Sequence, residues 1–97
     1  MSNKTLAALQ DRLSDLKEGS AEGEAIAFLL DINTRMLEQG VTHVELAQRL
    51  GTSRSYISQL FAGNANLSMQ TMSRLAAAVG CTFKVQLEVL RGKKPLA

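Results

Sequence analysis

The sequence contains few of the residues from which disulfides, metal sites and aromatic cores are built. Its 97 residues include one cysteine, one histidine and one proline, and only 4% are aromatic. Cys81 has neither a second cysteine nor a partner at metal-ligand spacing, which excludes an internal disulfide and a zinc site. No apolar run approaches the roughly 20 residues of a membrane span, and the first four residues lack the apolar stretch of a secretory signal. We therefore expect a cytoplasmic protein with no cofactor, no metal and no membrane contact.

Residue patterns that perform catalysis are also missing. No paired carboxylates, no nucleophile beside a base and no phosphate-cradling glycine loop occur at a spacing that would support chemistry. A chain of 97 residues forms about one domain, and a composition of 45% apolar and 21% charged residues is typical of a folded one. An enzyme is therefore the least favoured class of function.

The charge is divided unevenly along the chain, although the net charge is only +2. Residues 1–40 contain four basic and seven acidic residues, which gives −3. Residues 41–97 contain seven basic and two acidic residues, which gives +5. A basic second half suits a surface that binds a polyanion, although solvated lysines near a C-terminus produce part of the same imbalance.

Hydrophobic periodicity predicts a mainly α fold of about five helices followed by one strand. The first helix is predicted within 3–18 and the second over about 24–38, where Gly40 supplies a left-handed stop. The last helix begins near Ser68 and stops at Gly80. Three methionines are expected in the core: Met36, Met69 and Met72. We divide the chain into an N-terminal helix with its linker (1–23), a central domain (24–80) and a C-terminal segment (81–97).

Two short helices at the centre of the chain carry the clearest signals. Thr42 and Glu45 form a capping box that starts the first, and Gly51 ends it. Ser53 can cap the next helix. The apolar positions of this second helix are Ile57, Leu60 and Phe61, and its opposite arc consists of Arg54, Ser55, Ser58 and Gln59. Two short helices joined by a glycine-containing turn form a helix-turn-helix.

This pattern resembles the lambda-repressor-like (XRE, Cro-type) DNA-binding family over about residues 24–80. The matching positions are Leu46-Ala47, Leu50-Gly51, Ser53, Ile57, Leu60, Gly63 and Ser68-Met69-Gln70-Thr71. Two positions depart from the family pattern, because His43 stands where the family often has Gln and Leu67 where many members have Pro.

The resemblance implies that the second helix of the pair enters the major groove of double-stranded DNA with its N-terminal end leading. The base-reading residues would then be Arg54, Ser55 and Gln59. Their side chains carry hydrogen-bond donors and acceptors that can pair with the edges of guanine and adenine. The expected phosphate ligands are Thr42, His43, Thr52, Ser53, Tyr56, Ser58, Asn64 and Asn66. Simpler readings stay open: a polar helix face is usually solvated, Tyr56 fits packing equally well, and His43 would be exposed on a first turn.

After the last helix the apolar period changes to two, which predicts a half-buried strand. The strand is expected to pair antiparallel with a second copy of the chain, because an unpaired edge must find a partner. A two-fold axis through Gln86 places Lys84 opposite Glu88 and Phe83 opposite Val89 of the other copy. The predicted dimerisation residues are Phe83, Lys84, Val85, Gln86, Leu87, Glu88 and Val89.

Three functions fit this architecture. A homodimeric repressor would bind a palindromic operator with half-sites about one helical turn apart. The chain is also similar to HigA-type antitoxins, which repress their own operon and bind a toxin. A candidate toxin surface is the apolar stripe formed by Leu6, Leu9, Leu13 and Leu16. The same stripe would equally well dock on its own domain or on the other subunit. The third possibility is an interaction module that has lost DNA binding, as in the helix-turn-helix-like part of cyanase.

Overall fold

Five helices follow one another along the chain. The computed structural model of the protein describes residues 3–16, 19–63 and 67–89. The helices are α1 (Asn3–Ser14), α2 (Ala21–Gln39), α3 (His43–Leu50), α4 (Arg54–Phe61) and α5 (Met69–Ala78). No strand occurs within these described residues. The helical bundle predicted from the sequence is confirmed, whereas residues 83–89, where the strand is expected, do not form one.

Hydroxyl side chains begin four of the five helices. Ser20, Thr42, Ser53 and Ser68 each accept a hydrogen bond from the backbone N–H three residues further along. Since Ser20 accepts from Gly23 N at 3.0 Å, α2 begins at Ala21 rather than at the expected residue 24. The segment interpreted as a linker therefore forms the first turn of α2.

The core contains buried side chains from all five helices and from two residues outside them, Val41 and Val79. They are Leu9, Ile26, Leu29, Ile32, Met36, Val41, Leu46, Ala47, Leu50, Ile57, Leu60, Phe61, Leu75 and Val79. Met36 is fully buried as expected, whereas Met69 is 59% exposed. The prediction of a buried Met69 is wrong, because this side chain is on the first residue of α5, at an exposed end of the helix.

The first helix packs on the rest of its own chain. Leu9 is 1% exposed, and Leu13 and Leu16 pack against the core beside α2. Leu6 is also partly buried. Of the alternatives raised by the apolar stripe, docking on its own domain is the one observed, so the stripe is not an open surface for a toxin.

Residues 81–89 form neither helix nor strand and are mostly exposed. Phe83 packs edge-on against Phe28 of α2, with ring centroids 5.6 Å apart. Beyond it, Val85, Leu87 and Val89 are 64%, 96% and 90% exposed. Alternate apolar side chains are thus presented to solvent, and pairing with a second copy stays a prediction.

Across the part of the chain that the structure describes, every helix is too short or too polar to cross a membrane.

Candidate nucleic-acid interface

A tight turn sets the angle between α3 and α4. Gly51 adopts φ 67°, and its N–H is directed to the carbonyls of Ala47 and Gln48. The N–H of Thr52 donates to Ala47 O at 2.9 Å, which ties the turn back to the last turn of α3. Ala47 is 4% exposed, and its small side chain lets α4 pack closely on α3. The two helices therefore form a helix-turn-helix held by backbone bonds.

The helix α4 separates cleanly into two faces. Ile57, Leu60 and Phe61 are buried, with exposures of 0%, 1% and 2%. The opposite face is exposed along its whole length and consists of Arg54, Ser55, Ser58 and Gln59. The three predicted base-reading side chains thus share one accessible face with Ser58, whose predicted contact is a phosphate.

Two predicted phosphate ligands lie at the start of α4. Ser53 is exposed, and its Oγ accepts from Tyr56 N at 3.1 Å, so its hydroxyl hydrogen stays available as a donor. Tyr56 is partly buried against the core, which favours a packing role for its ring. Because Ser53 Oγ serves only one of the first-turn amides, this end of α4 keeps donors and a positive dipole end for an anion.

The start of α3 is arranged differently from the capping box that the sequence predicts. Thr42 Oγ1 accepts from Glu45 N at 3.1 Å and donates to the Glu45 carboxylate at 3.5 Å. The carboxylate thus meets the threonine hydroxyl. A phosphate approaching Thr42 would meet this negative charge, so the backbone amides are better ligands here than the hydroxyl.

His43 is packed between helices instead of standing free on the first turn. Its ring stacks on Phe61 with centroids 5.1 Å apart, and its Nε2 is buried without a hydrogen-bond partner among the described residues. Burial lowers the pKa of His43 below its ordinary value, and the charge of Arg54 lowers it further. The expectation of an exposed His43 is wrong, and its neutral ring joins α3 to α4.

Thr52 has no exposed donor for a phosphate. Its N–H is bonded to Ala47 O, and its Oγ1 is buried without a partner among the described residues. The geometry therefore does not support Thr52 as a phosphate ligand. Two further predicted ligands, Asn64 and Asn66, lie outside the described residues.

Two basic residues of the second half bind helix ends. Arg74 donates to Leu50 O at 2.6 Å, and Arg49 donates to Ala78 O at 2.7 Å. Each places a cation at a helix C-terminus, where unpaired carbonyls and the helix dipole favour it. Part of the positive charge that suggested a polyanion surface thus stabilises the packing of α3 on α5.

A residue of α1 that the sequence pattern does not single out also reaches this region. Arg12 donates to the carbonyls of Ala62 and Gly63, directly after α4. No local signal predicts this contact, because the partners are separated by 50 and 51 positions.

Residues 32–85, more than half of the chain, match the sequence profile of a helix-turn-helix family. Neither a search of curated proteins nor one of solved structures found a match.

Proposed function

Because the chain belongs to the lambda-repressor-like (XRE) helix-turn-helix family of DNA-binding transcription regulators, we propose that it binds a palindromic DNA operator as a homodimer and represses transcription there. One observation carries the proposal. The buried face of α4 is wholly apolar, whereas its opposite face is exposed and polar with donors at its N-terminal end. A helix of about 10–12 Å diameter with such a face fits the major groove, which is about 12 Å wide.

Base reading is assigned to three residues. Arg54 opens α4, where it can donate two hydrogen bonds to guanine O6 and N7. Gln59 lies five positions on and can pair bidentately with adenine N6 and N7, and Ser55 can bond to several bases. Each good bidentate pair contributes about 1–3 kcal/mol of discrimination.

Phosphate contacts orient the helix in the groove. The candidates at the two helix starts are the hydroxyl of Ser53 and the first-turn amides of α3 and α4, and the hydroxyl of Ser58 lies further along the exposed face of α4. Tyr56 and His43 are also proposed ligands. Each has a partly buried ring, so it would contact a DNA phosphate only through a polar atom at the exposed edge of that ring. The remaining proposed ligands are Thr42, Asn64 and Asn66.

The exposed C-terminal segment supplies the reason for proposing a dimer. Antiparallel pairing of residues 83–89 with a second copy would satisfy backbone groups and cover Val85, Leu87 and Val89. A two-fold axis at Gln86 sets Lys84 against Glu88, which gives two opposite-charge pairs per dimer. Two α4 helices would then enter successive major grooves about 34 Å apart.

Selection of bound sequences from a random duplex library tests the proposal directly. The full chain is used, and the length of the protected footprint is measured on the enriched duplex. We expect a palindromic motif with half-site centres about 10 base pairs apart. The matched control is Arg54→Ala, which should lose preference at one base pair per half-site while retaining the fold. Absence of any enriched motif would contradict the proposal and favour an interaction module, for which the exposed apolar segment would be the contact surface.

An antitoxin role remains a more specific form of the same proposal. Its predicted toxin surface is occupied, since Leu9 is in the core. A toxin would have to bind elsewhere, and a small toxin gene beside the coding sequence would favour this role over a stand-alone repressor.

A further inference from the structure

One arginine of α1 binds the end of the proposed recognition helix, α4. Nη1 of Arg12 donates to Ala62 O and to Gly63 O, at 3.2 Å in each case, and Nη2 is bonded to the carboxylate of Glu22. Ala62 is the C-terminal cap of α4. The helix α1 precedes the residues that match the family profile, so this contact is an addition to the matched domain.

The contact is well suited to its position. The last carbonyls of a helix have no partners within the helix, and a cation is favoured at that end of the helix dipole. Gly63 has φ 78°, and a Cβ atom placed on it would lie 2.0 Å from Arg12 Nη1. The guanidinium thus fills the space that the absent side chain leaves. Leu9, one turn earlier on α1, is buried and fixes the helix that carries Arg12.

The turn held by Arg12 directly follows α4. Under the proposed function, α4 is the helix that enters the major groove of the DNA. A turn that is ordered before DNA arrives lowers the conformational entropy lost on binding. We infer that Arg12 is a positioning residue for DNA binding, which strengthens the complex by holding the C-terminal end of α4 without touching DNA. This inference rests on the proposed function.

Arg35 provides a matched control for the experiment. It is also a surface arginine paired with a glutamate, at 2.7 Å from Glu38, but it lies on α2 and is not bonded to the turn. Arg12→Met and Arg35→Met remove the same charge and keep an apolar stem. Both are compared with wild type for operator affinity at a temperature where circular dichroism shows full folding. We expect Arg12→Met to bind about two- to ten-fold more weakly, as for the loss of one ordering contact, and Arg35→Met to bind within two-fold of wild type.

Salt dependence distinguishes positioning from a direct phosphate contact. If Arg12 does not touch DNA, the slope of log affinity against log salt stays the same in Arg12→Met. Loss of a direct phosphate contact from each of the two subunits would reduce that slope by about 1.8, or about 0.9 per contact, and such a reduction would overturn the inference.

The glutamate partners give a test of opposite sign. Removing an acidic charge ordinarily raises affinity for DNA, because it lessens repulsion of the phosphates. Glu22→Gln should nevertheless bind about two-fold more weakly, because it removes the carboxylate that holds Arg12 in place. The effect is small because this ion pair is exposed. Glu38→Gln should bind as tightly as wild type or more tightly.

The outcomes separate the two proposals. A wild-type chain that selects no duplex would overturn the proposed function and the role of Arg12 with it. A wild-type chain that binds its operator, with Arg12→Met equal to Arg35→Met, would overturn the role of Arg12 alone. Lower stability of Arg12→Met with unchanged affinity of the folded protein would do the same. So would Glu22→Gln binding as tightly as wild type.

Discussion

Asn33 is a polar residue inside the apolar core of α2. It is 0% exposed, and neither Nδ2 nor Oδ1 has a hydrogen-bond partner among the described residues. Its neighbours Ile32 and Met36 are buried as well, at 3% and 0%. Leaving a buried donor or acceptor unpaired costs about 1–3 kcal/mol. Asn33 is thus the position where the free energy of unfolding should respond most favourably to an apolar substitution.

Asn33→Leu removes both unpaired groups with a side chain of similar size. Two groups at about 1–3 kcal/mol each, less about 1–3 kcal/mol for fitting a branched side chain into a packed core, leave a net gain of about 2 kcal/mol. For a domain of this size, such a gain raises Tm by about 10 °C. The expected stabilisation is therefore large enough to measure by either chemical or thermal unfolding.

Urea unfolding followed by circular dichroism gives the free energy by linear extrapolation. Asn33→Asp is the matched control, since it keeps the shape but introduces a buried carboxyl group. Burial raises the pKa of that carboxyl, so the folded state binds the proton more tightly and stability falls as pH rises from about 4 to 7. An Asn33→Leu variant that is less stable than wild type would refute the reasoning, since removal of the two unpaired groups would then not outweigh the cost of fitting the leucine.

Four further predictions concern the interface and its supports. Arg54→Ala should weaken operator binding by about 1–3 kcal/mol per half-site and relax preference at one base pair per half-site. Equal weakening on random DNA, in a filter-binding or anisotropy assay, would leave only a phosphate role. Lys84→Glu should raise the dimer dissociation constant measured by sedimentation equilibrium, and adding Glu88→Lys should restore it, because each opposite-charge pair contributes about 0.2–1 kcal/mol; a wild-type monomer at micromolar concentration would remove the basis for this. Because His43 has a lowered pKa when folded, stability should fall as pH drops below about 6.5. Between pH 7 and pH 5.5, Tm should therefore fall less in His43→Gln than in the wild type. An equal fall in the two proteins would contradict the assignment. Leu9→Ala should cost about 2–5 kcal/mol in urea unfolding, and a cost below about 0.5 kcal/mol would mean that α1 is not part of the core.

Local signals were sufficient to predict the helices that matter most. The caps at Thr42, Ser53 and Ser68 and the stop at Gly51 are properties of short segments, and the structure has them where the sequence places them. The exposed face of α4 follows from the same periodicity. Ser20 was missed as a cap because it stands between glycines that are equally typical of a linker.

Contacts between distant segments could not be predicted in this way. The stacking of His43 on Phe61 and the bonds from Arg12 to the end of α4 depend on how helices cross. The burial of Asn33 could not be predicted from its residue type either, because asparagine is ordinarily a surface residue. Its position on the helix is the one feature that indicates burial. Two of these features change the candidate site: one removes an exposed histidine, and the other adds a residue from α1.

Most arginines of the described residues are bonded within the chain, and from this we infer that the proposed function requires a dimer. Among the described residues, four arginines form hydrogen bonds within the chain, three of them to carbonyls at helix ends; they are Arg12, Arg35, Arg49 and Arg74. Arg54 is the arginine on the exposed face of α4. Because DNA affinity grows with the number of phosphates neutralised, a subunit whose arginines are largely engaged in its own fold gains little from one half-site. Two subunits joined through residues 83–89 double the number of contacts and make the second binding event intramolecular. The exposed apolar side chains of that segment are therefore as much a part of the DNA-binding proposal as the polar face of α4.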